Sequence, residues 1–300
     1  MRIFLTGATG FIGSRILPEL LGAGHQVLGM TRSDAGARAL ANAGAEVHRG
    51  QLEDPDSLRD GAAQADAVIH TAFDHDFSHF VANCEKDRQA IKALGSALIG
   101  SDRQLLITSG TGMGSCGPGQ AATEDVLNLD HPNPRSASEQ AGLEMLEAGV
   151  AVSVVRLPQV HDAMKQGLIS PFIEMVRARG FAAYIDEGQN RWPAAHVLDV
   201  ARLYRLALER NERGTRYHAV AEEGIALRNI SKVIGAGMDV PVKSITPDQA
   251  AEYFGWLAPF AGMDMPASSA WTQQVLDWQP TGPSLISDLE NMDYSGVGAV

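Results

Sequence analysis

A strand, a glycine turn and a helix follow one another over Arg2–Leu21, and few folds admit that order. Arg2 to Thr6 is a short apolar run holding β-branched Ile3 and bounded at once by glycine, the pattern of a buried strand. Gly7, Gly10 and Gly13 recur at intervals of three, and from Phe11 onward Ile12, Ile16, Leu17, Leu20 and Leu21 keep helical spacing. Glycines between a strand and a helix have physical uses. One permits the tight turn, one lets backbone approach a pyrophosphate, and one lets the helix pack close to the strand. The pyrophosphate then rests on free N–H groups at the helix N-terminus.

The rest of the first half repeats this rhythm. Strands are expected at His25–Thr31, Ala45–His48, Ala67–His70, Gln104–Thr108 and Val150–Arg156. Helices are expected from Ser33 or Asp34 to Asn42, over Pro55–Arg59 behind an Asp54 cap, over Phe77–Leu98 and over Ser136–Glu147. Such alternation predicts an α/β fold, a Rossmann-type doubly wound parallel sheet with its ligand at the carboxyl ends of the strands. Beyond Leu157, prolines break the chain into shorter pieces. The expectation is a dinucleotide-binding domain over 1–157, joined by some later segments, and a smaller, mostly helical substrate cap over 158–300. The tail from Asp293 to Val300 is weakly patterned and expected to fray.

Charge and cysteine usage narrow the partners. Lys plus Arg number 24 against 36 Asp plus Glu, a formal charge of −12, which argues against nucleic acid or an anionic membrane as the main partner. The two cysteines, Cys84 and Cys116, make neither a disulfide framework nor a zinc spacing. With a strand expected from Arg2, no secretion signal is expected, and no apolar run is long enough for a helical span of a bilayer. A cytoplasmic protein acting on a small molecule is the expectation.

The segment Thr6-Gly-Ala-Thr-Gly-Phe-Ile-Gly13 resembles the cofactor motif of the extended short-chain dehydrogenase/reductase superfamily. The resemblance runs over nearly the whole chain and implies a bound nicotinamide dinucleotide. By it, Gly7, Thr9, Gly10, Phe11, Ile12 and Gly13 would hold the pyrophosphate. Gly50-Gln-Leu-Glu-Asp54 is similar to the adenine-side segment, with Gln51 and Leu52 at the base. His70-Thr-Ala-Phe73 is similar to a turn running beside ribose and pyrophosphate, which assigns Thr71, Ala72 and Phe73 to the cofactor. Thr108 and Pro158, at later strand ends, would flank the nicotinamide side. The second strand ends Thr31-Arg32-Ser33 with no carboxylate at its tip. An arginine there accommodates a ribose 2′-phosphate, so NADP is expected over NAD. The alternative is that Arg32 is a solvated surface residue and Asp34 reaches the ribose of NAD.

The superfamily's catalytic residues are a Ser or Thr after the fifth strand and Tyr-x-x-x-Lys on the next helix, a spacing that puts both on one helical face. Aligned on Ser138, Arg135 stands at the tyrosine position and Glu139 at the lysine position, while the catalytic serine falls at Gly110 between Ser109 and Thr111. The chain thus resembles an atypical branch of the superfamily that lacks the usual residues. Arginine stays protonated at neutral pH, so it can polarise a carbonyl but not shuttle a proton; Glu139, one turn on, could pair with it. His161, after the sixth strand, has a suitable acid–base group, and Tyr184 could offer a phenol from the cap. His75 and His79, with Asp74 and Asp76, could meet a metal on one helical face, but no further ligand pair is evident and no metal is expected. Arg191 and Trp192 either line the substrate pocket or pack under the cap, and Trp256, Trp271 and Trp278 read as core anchors.

Two functions remain open on the sequence. One is an NADP-dependent oxidoreductase, a carbonyl reductase, alcohol dehydrogenase or epimerase-like enzyme, with Arg135, Ser109, Thr111, His161 and Glu139 as its candidate catalytic residues. The other is a non-catalytic NADP-binding redox sensor. The resemblance also implies a homodimer as one arrangement, through the two long helices Phe77–Leu98 and Ser136–Glu147.

Overall fold

The computed structural model describes residues 1–295. Strand β1 (Arg2–Thr6), helix α1 (Gly13–Gly22), β2 (Gln26–Thr31), α2 (Asp34–Asn42), β3 (Glu46–Arg49), α3 (Pro55–Ala63) and β4 (Ala67–His70) form the first half of a doubly wound unit. The second half is α4 (Phe80–Ser96), β5 (Gln104–Gly110), α5 (Ser136–Glu147) and β6 (Ala151–Leu157). Side chains set two boundaries where the sequence puts them. Ser33 Oγ accepts from Gly36 N at the start of α2, and Asp54 caps α3 with Pro55 in its first turn. The long helix expected from Phe77 begins as one 3₁₀ turn capped by Asp76, so α4 proper starts at Phe80.

Strand alternation builds two cores at once. Ile3 and Leu5 face the layer of α1, whereas Phe4 faces α3 and α4 with Val68, Leu105 and Ile107. The sheet has seven strands, all parallel, in the order β10-β6-β5-β4-β1-β2-β3. The order reverses direction between β1 and β4, and a crevice opens there at the carboxyl ends.

After β6 the chain adds β7 (Gln159–His161), α6 (Ile169–Arg179), β8 (Ala182–Ile185), β9 (Arg191–His196), α7 (Val197–Arg210), β10 (Arg216–His218) and β11 (Glu222–Ala226). It ends with α8 (Leu227–Gly237), β12 (Val242–Ile245), α9 (Pro247–Phe254), α10 (Ala258–Ala261), α11 (Ala270–Leu276) and α12 (Leu285–Glu290). Two of these elements return to the main sheet. Strand β10 extends it beside β6, and α7 packs beside α1 with Tyr204 and Trp278 fully buried between layers. The remainder is a cap with its own core, Phe172, Ile173, Trp192, Leu227, Ile230 and Phe254 among its members. Besides helices it carries two small sheets, β11-β9-β7 and β12-β8. The change of rhythm at Leu157 is therefore not a cut through the structure. Of the expected fraying tail, residues 296–300 lie outside the described residues.

Candidate active site

The glycine turn is shaped by what a side chain would strike. Gly7 has φ +69°, and a Cβ there would lie 2.7 Å from both Ala72 N and Thr71 Oγ1. A Cβ on Gly13 would lie 2.1 Å from the Gly7 carbonyl oxygen, so only glycine lets α1 begin this close to β1. Gly10 N donates to Gly7 O at 2.9 Å. Among the described residues no backbone carbonyl receives the amides of Phe11, Ile12 or Gly13. The opposite wall is pinned by Thr71 Oγ1, which donates to Thr6 O at 2.8 Å, and carries Ala72 and Phe73. A shallow cradle with free amides at a helix N-terminus fits a pyrophosphate.

At the other end of the crevice mouth, Arg32 is exposed and makes no ion pair among the described residues. Ser33 is committed to the α2 cap, and Thr31 is buried, its Oγ1 receiving Ser33 N. Asp34 pairs with Arg49, whose backbone is the register partner of Thr31. Two guanidinium groups and one engaged carboxylate thus stand at the tips of β2 and β3. Gln51 is exposed beside them, and Leu52 packs against the core under α3.

At the catalytic end Arg135 sits one residue before α5 and turns its side chain back over the end of β5. Its Nη2 donates to Thr108 O at 3.1 Å, and its guanidinium carbon lies 4.0 Å above the Phe73 ring centre. Nη1 stands 2.8 Å from Asp87 Oδ2, an ion pair off the hydrogen-bond direction. Asp87 is buried on α4 and also receives His70 Nε2 (3.0 Å) and Ser138 Oγ (2.6 Å). Burial alone would raise its carboxyl, but the Arg135 charge and these donors hold it below its ordinary value. His70 Nδ1 reaches Thr6 Oγ1 at 2.7 Å, so a buried polar chain links the glycine turn to Arg135.

Several expected residues are elsewhere engaged. Glu139 does not pair with Arg135. Both its oxygens are held by Arg156, at 2.7 and 2.9 Å, and Arg216 adds a third contact at 3.2 Å. Arg135 leaves from the helix cap toward β5, whereas Glu139, inside the helix, faces β6 and β10. His161 is fully buried, its Nδ1 bonded to Asp288 at 2.7 Å and its ring 5.8 Å from that of His196, and it does not open on the crevice. Thr108 turns its hydroxyl away, toward His70 O and Tyr204 OH, and its carbonyl is taken by Arg135. Tyr184 lies on β8 under Arg228. Arg191 is clamped to Asp264, and Trp192 is core. Trp278 is buried as expected of an anchor, while Trp256 and Trp271 are partly exposed, stacked on Phe77 and Tyr217. His79 pairs with Asp76, and among the described residues no three or more His, Cys, Asp or Glu side chains gather as a metal site would require.

The remaining expected residues lie at the carboxyl ends of β5 and β6. Ser109 Oγ is buried with no partner, Thr111 is buried at the start of the following turn, and Pro158 is half-buried after β6. Beside them a cavity of about 330 Å³ opens between the Gly112–Gly119 loop and the cap segment Met263–Pro266. His131 lines it, four residues before Arg135. Its Nδ1 accepts from Asn133 N at 3.1 Å, which leaves the ring proton on Nε2, and burial pushes its pKa below the ordinary value. Sequence reasoning missed this residue. The available signal was its spacing: none of the five tyrosines is followed four residues later by lysine, but His131 is followed four residues later by arginine.

The NAD dependent epimerase/dehydratase family matches residues 3–221 of this sequence. The chain belongs to that family. It is an NAD(P)-dependent enzyme of the short-chain dehydrogenase/reductase type. An uncharacterized protein of Schizosaccharomyces pombe is 45% identical over 98% of this chain and 100% of its own length. A 4-hydroxy-2-methyl-3-oxo-4-farnesyl-3,4-dihydroquinoline-1-oxide ketoreductase of Stigmatella aurantiaca is 26% identical over 84% of this chain and 78% of its own. The Thermus thermophilus UDP-glucose 4-epimerase, solved with NAD, shares the fold at a TM-score of 0.74 and 20% identity, covering 99% of this chain and 100% of that one. Family members act on small molecules, and no helix among the described residues is long and apolar enough to cross a membrane.

Proposed function

We propose that this protein is an NADP-dependent carbonyl reductase in which His131 and Arg135 replace the family's Tyr-x-x-x-Lys. The observation that carries the reading is the Arg135 guanidinium, held over the end of β5 by Asp87, Thr108 O and Phe73, with His131 four residues earlier on the cavity wall. Arg135 then stands for the lysine rather than the tyrosine, and Glu139 belongs to the scaffold. NADP is favoured by the unpaired Arg32 next to Arg49, with Asp34 already engaged.

A bound reduced nicotinamide supplies the hydride. The chain's own residues manage the oxygen. His131 donates a hydrogen bond from Nε2, and the fixed charge of Arg135 stabilises the developing alkoxide. Because Asn133 N locks the Nε2–H tautomer, His131 acts as a neutral donor, and the alkoxide draws its proton from water in the open cavity. The Ser109 hydroxyl, at the end of β5, is also unpartnered but buried.

The test is NADPH consumption followed by absorbance against a panel of aldehydes, ketones and enones. Turnover that falls about a hundredfold or more in both Arg135→Ala and His131→Gln supports the assignment. Unchanged turnover in either variant removes that residue from the mechanism.

A further inference from the structure

The loop after β7 docks on the glycine turn, and it is built to hold one cation there. Asp162 Oδ1 accepts both Met164 N and Lys165 N at 2.8 Å, and Asp162 N donates back to Lys165 O at 2.9 Å. Gln166 Nε2 closes the same turn on Asp162 O at 2.7 Å. The other oxygen, Asp162 Oδ2, faces Arg15 of α1 at 3.5 Å. Both carboxylate oxygens are therefore engaged elsewhere, and the Lys165 ammonium makes no ion pair among the described residues. Lys165 Nζ lies 6.0 Å from the centre of the Phe11 ring, inside the glycine motif itself. On the far side its charge, after that of Arg135, is felt by His75. The ammonium thus lies beside the Phe11 ring of the glycine turn and within electrostatic reach of His75, two residues beyond Phe73.

We propose that Lys165 is a pyrophosphate-binding residue, a cation delivered from the cap-side loop to face the amides of the glycine turn across the bound dinucleotide. This rests on the NADP reading above. The two sides are complementary: the helix end gives partial positive charge from uncharged N–H groups, and Lys165 adds a full charge with rotatable donors. The rigid Asp162 turn limits the entropy lost when the lysine engages.

The test compares two probes on the intact protein by calorimetry: NADPH, and 2′-AMP, which has the ribose 2′-phosphate but no pyrophosphate. Lys165→Ala is expected to weaken NADPH about tenfold, with a shallower salt dependence, and to leave 2′-AMP within about twofold. Lys165→Arg keeps most of the affinity. Arg32→Ala, by contrast, weakens both probes. An unchanged NADPH affinity in Lys165→Ala overturns the proposal, as does equal weakening of both probes, or a raised substrate KM with the NADPH affinity intact. Failure of the cofactor reading is separately visible, because the unsubstituted protein would then not bind NADPH. Lys165 is exposed on a loop, so circular dichroism of the variant should match the parent.

Discussion

Two buried arginine–carboxylate pairs grow from the two ends of one helical turn in α5, and they are finished to different degrees. Glu139 is closed on every side: Arg156 grips both oxygens in plane, Arg216 adds a third contact, and Arg156 gives its remaining donors to Thr123 O and His218 Nε2. Arg156 is 0% exposed. Arg135 keeps 13% of its side chain exposed, meets Asp87 off the hydrogen-bond direction and presents a face to Phe73. A satisfied pair holds a fold together. A pair whose arginine stays partly exposed beside a crevice is available to a ligand. Residue type and spacing do not distinguish the two cases; the direction in which each side chain leaves the helix does.

The sharpest way to break this contrast is to empty each pair in turn. Glu139→Ala leaves buried Arg156 and half-buried Arg216 without their carboxylate, and should cost about 3–5 kcal/mol in urea unfolding. It should leave the turnover of whatever remains folded close to the parent's. Arg135→Gln should do the reverse. Asp87 retains its hydrogen bonds from His70 and Ser138, so the stability loss should be about 1–2 kcal/mol. Turnover should fall about a hundredfold. If the two variants lose stability and activity in the same proportion, the division between scaffold and site is wrong.

The glycine turn falls between these extremes and tests the cofactor end. Gly13→Ala forces a Cβ to within 2.1 Å of a backbone oxygen that cannot move without β1. A loss of about 1–3 kcal/mol by thermal unfolding is expected, with NADPH binding abolished. Retained binding would mean that α1 can draw back from β1 at little cost.

This end of the molecule was legible because backbone geometry dictates residue type. Only glycine fits Gly7 and Gly13, so the spacing announces the turn, and β1, β4 and α5 start and stop where the residues say. The proton-handling end was not legible in the same way. The segment Thr111–Arg135 between β5 and α5 is mostly irregular, so alignment on Ser138 left a four-residue ambiguity in register. Aligned on Ser138, Arg135 falls at the tyrosine position; in the register proposed above it takes the lysine position and His131 that of the tyrosine. The cap sheets were missed because their strands are three to six residues long and lack alternating polarity. His161 looked reachable because it follows β6 closely, but Asp288 from α12 covers it.

Acid should separate the two arginine systems by their histidines. His218, behind Arg156, is desolvated and beside a positive charge, which lowers its pKa from 6.5 to about 3. The unfolded state therefore binds more protons between those values, and stability should fall as pH drops through that window. His131 is likewise lowered from 6.5, by burial. When protonated it loses its acceptor for Asn133 N and adds a charge near Arg135. The acid limb of kcat/KM should lie below pH 6.5 and vanish in His131→Gln. A limb above 6.5 would assign the titration to another group.

The smallest expected effect is the most discriminating for the missing serine. Gly110 is extended, at φ −119° and ψ 151°, a conformation any residue adopts. An added Cβ would meet only Leu157 O, at 4.0 Å. Gly110→Ser should fold within about 0.5 kcal/mol of the parent, and it puts a hydroxyl at the position that the resemblance assigns to the catalytic serine. If His131 and Arg135 already manage the oxygen, turnover should rise about fivefold or less, what one added hydrogen bond supplies. A rise of about a hundredfold would be the contribution of a positioned acid. The native site would then be limited by the serine it lacks, and the half-open Arg135 pair would be an incomplete version of the family's machinery rather than a replacement for it.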